Sequence, residues 1–527
     1  MPYQTSPEID FSSIGLMVDV PANQIPQGGW SDSLNVRPRN GSVQGVNAFA
    51  NDILLHHSDS NIANGEAKAI CQFTPAGGDN LIIAYIVKGA TSGEGSVILY
   101  NPDGANNAAK WNDITNSVAV NKFTFNDDYP PQIFVFNQLL IVNPGTDAPP
   151  QFTDAKVGAG SLAPIPNWLT DSSSSPIICR ILRPYNQRLI AMSIKEEHGV
   201  GGAGTADDAD DDVYQPIDLL FSSHITTTAS LAAVQWTAST TNTAGDAFLN
   251  ATPGKILDGG QLGEFFIAYK TDSVVRIRET GDTNILAIES IFEDDGIYST
   301  RCFANIGNSQ HLVVGNYGIY IHDGQSQKQD IAKDLFKDTM YALVKTTERN
   351  RTFVFQQTRD KEVWLCLPTT SNSTTGCDLA FVYDYSSGKI HKRTLPGITD
   401  LFETELDGEL KIYGTKSGTT LQTLSNTILE SGGYFERIND NLTDNGKVKH
   451  INRIEINAVG SCLVALTGTQ NLSDSKSYTN VAFNPTTDHK IDVRASGRYM
   501  NLKVTMNGAT NPELSKLQFD IKIMGVR

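Results

Sequence analysis

The sequence lacks the features that mark membrane and secreted proteins. Its 527 residues contain no apolar run of the length that a membrane-spanning helix needs. The first residues, MPYQTSPEIDFSS, lack the basic start and the apolar centre of a secretory signal peptide. We therefore expect a soluble protein that is made in a cytoplasm.

Cysteine is scarce, and its spacing excludes the common metal and redox motifs. The six cysteines are scattered over almost the whole chain and include no C-x-x-C pair. Zinc ribbons and thiol–disulfide enzymes place cysteines close together in sequence, and the cytoplasm keeps isolated thiols reduced. The sequence therefore predicts buried, reduced cysteines.

The sequence also lacks the local signatures of catalysis. It contains no H-E-x-x-H, no G-x-S-x-G and no G-x-x-x-x-G-K-[ST]. A carboxylate pair for glycoside cleavage could be drawn from distant strands and would leave no local motif. We predict no catalytic residue, no metal ligand and no cofactor, and we do not expect an enzyme.

One glycine-rich segment imitates two known site motifs but fits neither. Gly199, Gly201 and Gly204 have the spacing of a dinucleotide-binding loop, yet the residues that follow are acidic and would repel a phosphate. A calcium loop would need a glycine where Val213 stands. Residues 195–215 are therefore predicted to be an acidic surface loop, whose charges are Asp207, Asp208, Asp210, Asp211 and Asp212.

Positive charge is in deficit. The chain has 41 basic and 58 acidic residues, which gives a formal net charge of −17. Nucleic acid is gripped by Lys and Arg that neutralise phosphates, so this composition argues against tight binding to DNA or RNA. It allows nucleic acid to pass a surface of the same sign without adsorbing, although acidity also simply favours solubility.

What the sequence has in abundance is short β-strands in pairs. From about residue 67 to residue 424, hydrophobic runs such as NLIIAYIV and SVILYNPDG alternate with turns rich in Asp, Asn and Gly. Strand starts recur at about the eight- to twelve-residue spacing of antiparallel meanders. So many hairpins favour radial repetition in an all-β β-propeller. The absence of Trp-Asp and Gly-His pairs argues against WD40 blades.

The remaining segments complete a four-part organisation. In DIAKDLFKDTMYALVKTTERN, Ala332, Phe336, Met340 and Leu343 share one helical face and Asp330 can cap the start, which predicts a helix over 330–348. The end of the chain alternates polar and apolar residues like a β-sandwich. The predicted parts are an extended N-terminal docking arm (1–50), a β-propeller (51–430), a linker (431–447) and a C-terminal β-sandwich (448–527).

The N-terminal arm contains GLMVDVPANQIPQGGWSDSLNVRPRNGSV, which reads as neither helix nor strand. Trp30 has no strand around it, so we expect it to fill a pocket. That pocket belongs either to its own domain or to a neighbouring subunit.

This arm resembles the N-terminal segment of the β-propeller tail proteins of short-tailed bacteriophages. The resemblance is carried by a glycine- and proline-containing stretch, an aromatic residue and an Asn-x-Arg-x-Arg-x-Gly element. RLIAMSI, GNYGIYIHDGQSQKQDIAKDLFKD and IDVRASGRYMNLKVTMNG are similar to later segments of that family in the same order, so the resemblance covers nearly the whole chain. The matching arm residues, which we take as candidate docking residues, are Gly15, Trp30, Asn35, Arg37, Arg39 and Gly41.

The resemblance implies a structural virion protein of the tail nozzle or tail tube. In that family several copies, typically six, form a ring that extends the DNA channel below the portal and adaptor. Such a homohexamer would retain packaged double-stranded DNA, conduct it at infection without specific binding, and carry tail fibres or receptor-binding proteins. Arg37 and Arg39 would contact the acidic body of the protein. The alternatives are a β-propeller enzyme, or a binding protein, that acts on host polysaccharide.

Overall fold

A computed structural model describes most of the chain. It describes residues 3–54, 57–75, 80–88, 94–100, 111–116, 123–154, 162–170, 175–196, 213–227, 230–281, 285–307, 309–372, 376–406, 409–416, 420–442, 446–506 and 512–525. The predicted acidic loop, with Asp207, Asp208, Asp210, Asp211 and Asp212, lies outside these ranges.

The body of the protein consists of antiparallel meanders that follow one another along the chain. Sheet I contains Glu66–Phe73, Leu81–Val87, Glu94–Tyr100 and Trp111–Asp113, and Phe123–Thr124 also pairs with its third strand. Sheet II contains Gln132–Phe136, Leu139–Asn143, Gln151–Thr153 and Ala163–Pro164. Sheet III contains Ile178–Tyr185, Arg188–Glu196, Val213–Phe221 and Gly245–Phe248. Sheet IV contains Ile256–Leu262, Phe265–Lys270, Val274–Glu279 and Leu286–Phe292, and sheet V contains Phe303–Ile306, Gln310–Val314, Ile319–His322 and Lys328–Asp330.

The last sheet of the body has seven strands and is two meanders joined by one long strand. Its strands are Phe353–Gln357, Glu362–Leu367, Cys377–Asp384, Lys389–Leu406, Glu409–Lys416, Thr420–Leu429 and Asn47–Leu54. The long strand, Lys389–Leu406, pairs with Cys377–Asp384 through its first half and with Glu409–Lys416 through its second half. We call the first meander sheet VI and the second sheet VII. The N-terminal strand Asn47–Leu54 is thus the last strand of sheet VII, so an early part of the chain completes its last meander.

The first strands of successive sheets are linked in a ring by polar contacts. Sheet VII, the last of the body, contacts sheet I, the first, where Asp400 Oδ2 accepts the Ile70 N–H at 2.9 Å. Sheet IV meets sheet V where Asp258 Oδ2 accepts the Arg301 N–H at 2.8 Å. Four-stranded meanders arranged around a common axis are the blades of a β-propeller. The predicted all-β, propeller-type body is confirmed at this level.

Two further sheets are built from both ends of the chain. The first runs in the order Lys490–Gly497, Val448–Val459, Glu513–Gly525, Ser42–Gly45 and Val36–Arg39, and Gln4–Thr5 also pairs with Glu513–Gly525. The second runs in the order Asn480–Phe483, Cys462–Thr469, Tyr499–Met506, Tyr434–Asp440 and Asp32–Leu34. Their buried side chains belong to one hydrophobic core that continues into sheets IV, V and VI.

The predicted domain boundaries are wrong at both ends. Residues 431–447 are not a linker, because Tyr434–Asp440 is a strand in which every second side chain is buried. Residues 1–50 are not a separate arm, since their strands Asp32–Leu34, Val36–Arg39 and Ser42–Gly45 extend the C-terminal sheets. Gly15–Leu16 and Gly29–Trp30 also form a short parallel pair. The predicted sandwich 448–527 therefore omits strands that its sheets contain.

The predicted helix over 330–348 is shorter than expected. The structure has an α-helix at Lys337–Leu343, a strand at Lys328–Asp330 and a 3₁₀-helix at Thr346–Arg351. The other described helices are the α-helix Ser60–Ala63 and the 3₁₀-helix Ala22–Gln24. The carboxylate that caps Lys337–Leu343 comes from Asp19, which accepts the N–H of Asp338 at 2.7 Å and of Thr339 at 3.0 Å. A tertiary cap of this kind leaves no local sequence signal.

Two other expectations concern the whole chain. All six cysteines are buried and free, as the sequence predicts. Within the described residues, no helix is long and apolar enough to cross a membrane.

Candidate functional site

Trp30 fills a pocket of its own chain. Its side chain is fully buried, and its Nε1–H donates a hydrogen bond to the carbonyl oxygen of Phe11 at 2.7 Å. The indole stacks on Phe435, with ring centroids 5.3 Å apart and an interplanar angle of 24°. Of the two pockets that the sequence allowed, the structure therefore places Trp30 in the one on its own domain.

Asn35 ties the N-terminal segment to two other parts of the chain. Its backbone has a φ of 55°, a left-handed conformation that asparagine tolerates. The side-chain Nδ2–H donates to the carbonyl oxygen of Ser431 at 3.1 Å, and Oδ1 accepts the N–H of Thr394 at 2.8 Å. Because Thr394 lies on the long strand of sheet VI, this one side chain connects the body to the C-terminal sheets.

Arg37 and Arg39 bind the body of the same chain. Arg37 Nη1 lies 3.0 Å from Asp360 Oδ2 and 3.4 Å from Glu362 Oε1, and Arg39 Nη1 lies 2.7 Å from Asp360 Oδ1. Burial opposes the charge on Arg37, but the carboxylates of Glu362 and Asp360 raise its pKa above the ordinary value. Burial raises the pKa of Glu362 against the opposing effect of Arg37. These ion pairs hold the hairpin formed by Val36–Arg39 and Ser42–Gly45 on sheet VI.

The two glycines of the candidate set, Gly15 and Gly41, both adopt a backbone conformation with positive φ. Gly41 follows Asn40 in the turn of that hairpin, and their φ values of 74° and 52° suit an Asn-Gly hairpin turn. Gly15 has a φ of 93°, and a Cβ at this position would stand 2.9 Å from the carbonyl oxygen of Ile390. All six candidate docking residues thus act within the chain, and they join its N-terminal segment to both the body and the C-terminal sheets.

A second candidate site lies at the axial end of the body, where the first strands of the sheets begin. A cavity of about 160 Å³ is formed there by residues that lie in sheets III and IV or next to sheets II, V and VI. Arg180 lies in its wall, with its guanidinium carbon 3.3 Å from the centre of the Tyr129 ring and 4.2 Å from that of Tyr214. The Tyr214 hydroxyl shares a hydrogen bond of 2.7 Å with Ser193. The rest of the lining is Asp128, Pro130, Ile181, Lys255, Ile256, Leu257, Thr300 and Asn350.

An adjoining cavity of about 30 Å³ shares Pro130 and Asn350 with the first and reaches sheets I and VII. Its cations are neutralised by neighbouring carboxylates. Lys68 lies 3.0 Å from Glu66, and Arg351 lies 2.9 Å from Asp127. Arg301 forms an ion pair with Asp400. The cations around this second cavity are therefore paired with carboxylates of the same chain, and the pairs Lys68–Asp127, Arg351–Asp127 and Arg301–Asp400 connect neighbouring sheets of the body.

A buried polar cluster lies inside sheets IV and V. The Tyr269 hydroxyl is 2.7 Å from Nδ1 of His311 and 2.8 Å from Nε2 of His322, so it donates to one imidazole and accepts from the other. Burial lowers the pKa of His311 to about 3, with His322 adding to the shift, and lowers the pKa of His322 to about 4, with Lys328 adding to it. Both histidines are therefore neutral at physiological pH, and their hydrogen bonds with Tyr269 satisfy polar groups that are buried between sheets IV and V.

Two kinds of reactive group come into question among the described residues, a metal cluster and an ionised thiol. Within the described ranges, no group of three His, Cys, Asp or Glu side chains is placed to hold a metal ion. Burial raises the pKa of every cysteine thiol, which removes the thiolate that a nucleophile requires. Sequence inspection missed the axial cavity because its residues come from distant blades, so they share no local motif.

Comparisons with known proteins add little to this geometry. No family model matches the chain, and no curated protein matches it. Among solved structures, it is similar to the WD40 domain of Neurospora crassa Pan2, with a TM-score of 0.38 and 10% identity over 69% of this chain and 91% of that one. It is also similar to the WD40 β-propeller domain of Doa1, with a TM-score of 0.37 and 10% identity over 73% of this chain and 97% of that one. At these TM-scores the likeness carries no argument about function.

Proposed function

We propose that the chain is a structural subunit of the tail nozzle of a short-tailed bacteriophage. In this proposal its body is a seven-bladed β-propeller and its two further sheets form a β-sandwich. Several copies, typically six in the family that the sequence resembles, assemble into a ring below the portal and adaptor. The ring retains packaged DNA, conducts it at infection, and presents an attachment surface for tail fibres or receptor-binding proteins.

The observation that carries this proposal is that residues 29–45 belong to the C-terminal sheets and also bind the body. These residues carry part of the sequence resemblance, and they supply strands to both C-terminal sheets. They also hold sheet VI through Arg37, Arg39 and Asn35. A subunit that retains DNA under pressure must resist separation of its parts, and paired strands with ion pairs across the junction supply that resistance.

The charge of the chain supports the same role. A net charge of −17 disfavours adsorption of phosphates, so DNA can slide through a ring of such subunits without being held. A DNA-binding protein of this size would instead concentrate Lys and Arg on one face. We therefore expect the assembled protein to leave duplex DNA unretarded in a gel at physiological salt.

Mass and shape in solution test the proposal. The full chain is purified, its mass is measured by light scattering over a range of concentrations, and its particles are imaged by negative stain. A second sample contains the portal and adaptor proteins of a short-tailed phage. We expect rings of about six copies with an axial hole, alone or on the adaptor, as the sequence resemblance implies. A chain that stays monomeric in both samples contradicts the proposal.

The control for this experiment follows from the fold. Deleting residues 1–45 would remove strands from both C-terminal sheets and would confuse misfolding with loss of assembly. Gln27→Ala changes an exposed residue of the same segment and leaves every strand in place. This variant should assemble as the native chain does.

A further inference from the structure

A basic cavity of about 220 Å³ lies at the end of the body opposite the axial cavity. Three turns form it: residues 358–361 after the first strand of sheet VI, residues 385–388 after its third strand, and the Asn40-Gly41 turn of the N-terminal hairpin. The first strands begin at the axial end, so the turns that follow first and third strands lie at the other end. The lining residues are Pro38, Arg39, Asn40, Arg359, Asp360, Lys361, Asp384, Ser386, Ser387 and Lys389.

This basic cavity carries more positive than negative charge. Its lining has four cations and two carboxylates, a net charge of +2 on a chain whose net charge is −17. Asp360 is engaged by its own chain, because Arg39 lies 2.7 Å and Arg37 3.0 Å from its oxygens. Asp384 accepts hydroxyl hydrogen bonds from the two serines of the turn that follows it, at 2.6 and 2.7 Å. Both carboxylates are therefore held by groups of their own chain.

The other three cations of the basic cavity form no ion pair within the described part of the chain. Arg359 and Lys361 are exposed, and Lys389 is half-buried. The turn that carries the first two is nonetheless held in place. Glu403 of sheet VII accepts the Thr358 N–H at 2.7 Å, and the carbonyl oxygen of Lys361 accepts a backbone N–H from the 385–388 turn at 3.0 Å. The backbone that carries these cations is therefore organised before an anion binds, which reduces the ordering that binding requires.

The sequence supplies a segment of opposite charge. Five of the six residues 207–212 are aspartates. They precede Val213, which begins the third strand of sheet III, and Tyr214 of that strand lines the axial cavity. The acidic segment is therefore attached at the axial end of the body, whereas the basic cavity lies at the opposite end.

Chain length prevents the acidic segment from reaching the basic cavity of its own copy. Asp207 is six positions before Val213, so it stays within at most about 22 Å of it. Sheets IV and V separate sheet III from sheet VI, and neighbouring sheets pack about 10 Å apart. The first strand of sheet VI, Phe353–Gln357, adds about 17 Å from one end of the body to the other. The two displacements together exceed the reach of the segment.

We propose that the basic cavity of sheet VI binds the acidic segment 207–212 of a second copy of the chain. The contact joins the axial end of one copy to the opposite end of the next, so it is heterologous, and such a contact repeated around an axis can close into a ring. Opposite charges on the two surfaces also favour one orientation of the copies. Closure into a ring rests on the proposed function, whereas the binding itself does not.

Fluorescence anisotropy with a labelled peptide tests the contact. The acidic peptide has the sequence of residues 203–213, and the matched neutral peptide has Asn in place of its five aspartates. Each peptide is titrated with the full chain. We expect the acidic peptide to bind at least about tenfold more tightly, because the neutral peptide offers the cations no charge. Its binding should weaken as the salt concentration rises. Equal binding of the two peptides would overturn the proposal.

Charge reversal locates the binding surface. Lys361→Glu should weaken binding of the acidic peptide about tenfold, because it replaces an attraction by a repulsion. Lys490→Glu changes the net charge by the same amount at an exposed position on a C-terminal sheet, and it should change the affinity by less than about twofold. Equal weakening by the two variants would overturn the proposal. Duplex DNA that displaces the peptide at equal concentration would assign the cavity to nucleic acid and would also overturn it.

A full-chain variant with Asn at the same five positions separates this contact from the proposed function. It should lose the self-association that light scattering measures for the native chain. If it forms rings as the native chain does, the contact is overturned and the nozzle proposal stands. If the native chain forms open chains of copies that Lys361→Glu disperses, the contact stands and the nozzle proposal is contradicted. Tighter binding of the acidic peptide to the Asn variant than to the dilute native chain would show that the segment occupies the cavity of its own copy, which would overturn the contact between copies.

Discussion

Replacing Trp30 distinguishes a residue that stabilises its own chain from one that docks on a neighbour. The indole is fully buried, stacks on Phe435 and donates a hydrogen bond to the Phe11 carbonyl at 2.7 Å. Trp30→Ala removes all of these contacts. It leaves a cavity in the core that joins the C-terminal sheets to the body, and it leaves the Phe11 carbonyl without its partner.

The expected cost follows from those losses. Truncating a buried tryptophan to alanine typically costs about 3–5 kcal/mol. The hydrogen bond accounts for about 1 kcal/mol of this. Trp30→Phe keeps most of the apolar volume and loses the hydrogen bond, so we expect a loss of about 1–2 kcal/mol for it.

Urea unfolding followed by circular dichroism measures these losses without relying on tryptophan fluorescence. Gln27→Ala, at an exposed position of the same segment, is the control and should lie within about 0.5 kcal/mol of the native chain. The reasoning is refuted if Trp30→Ala unfolds with the native free energy while the ring dissociates, because Trp30 would then serve a neighbouring copy.

Four further variants test other parts of the structure by the same unfolding assay. The pKa of His311 is lowered to about 3 and that of His322 to about 4, so the unfolded chain takes up protons first as pH falls below about 6.5. Protonation of these two histidines in the unfolded chain should therefore lower the free energy of unfolding by on the order of 5 kcal/mol between pH 7 and pH 4.5. A variant in which both His311 and His322 are replaced by Gln should lose less stability over that range. Gly41→Ala should cost about 1 kcal/mol for its positive φ alone, whereas Gly15→Ala should cost about 3 kcal/mol, because its Cβ also meets a carbonyl oxygen. Arg37→Met should cost about 2 kcal/mol, because it removes the cation that faces two carboxylates. Each expectation can be contradicted separately. The two glycine variants could lose equal stability, the double histidine variant could keep the native pH dependence, or Arg37→Met could unfold with the native free energy.

The propeller-type body could be predicted because its signal is local. Each hairpin carries its own alternation and turn residues, and repetition makes the pattern visible without any knowledge of the tertiary contacts. The burial of the cysteines followed in the same way from their scattered spacing. Such features depend on a few neighbouring residues, so one sequence is enough.

The domain boundaries failed because they depend on pairing between distant segments. Asp32–Leu34 pairs with Tyr434–Asp440, about four hundred positions away along the chain. Two local signals were present. YFERIND alternates like a half-buried strand, and Asn40-Gly41 is a strong hairpin turn. Both lie among polar residues, which favoured the interpretation as linker and arm.

The axial cavity could not be predicted from the sequence at all. Tyr129, Arg180, Tyr214 and Lys255 lie in sheets II, III and IV or next to them, and only the ring of first strands brings them together. Each is ordinary in its own segment. The property that singles them out, a guanidinium held between two aromatic rings, exists only in three dimensions.

Backbone hydrogen exchange of residues 29–45 tests most directly that this segment is part of its own chain's fold. The amide groups are followed in the full chain over a series of protein concentrations. The strand pairing of Asp32–Leu34 and Ser42–Gly45 predicts slow exchange that does not change with concentration. Fast exchange in the dilute protein, slowed only as copies assemble, would show that the segment docks on a neighbour and would contradict the account.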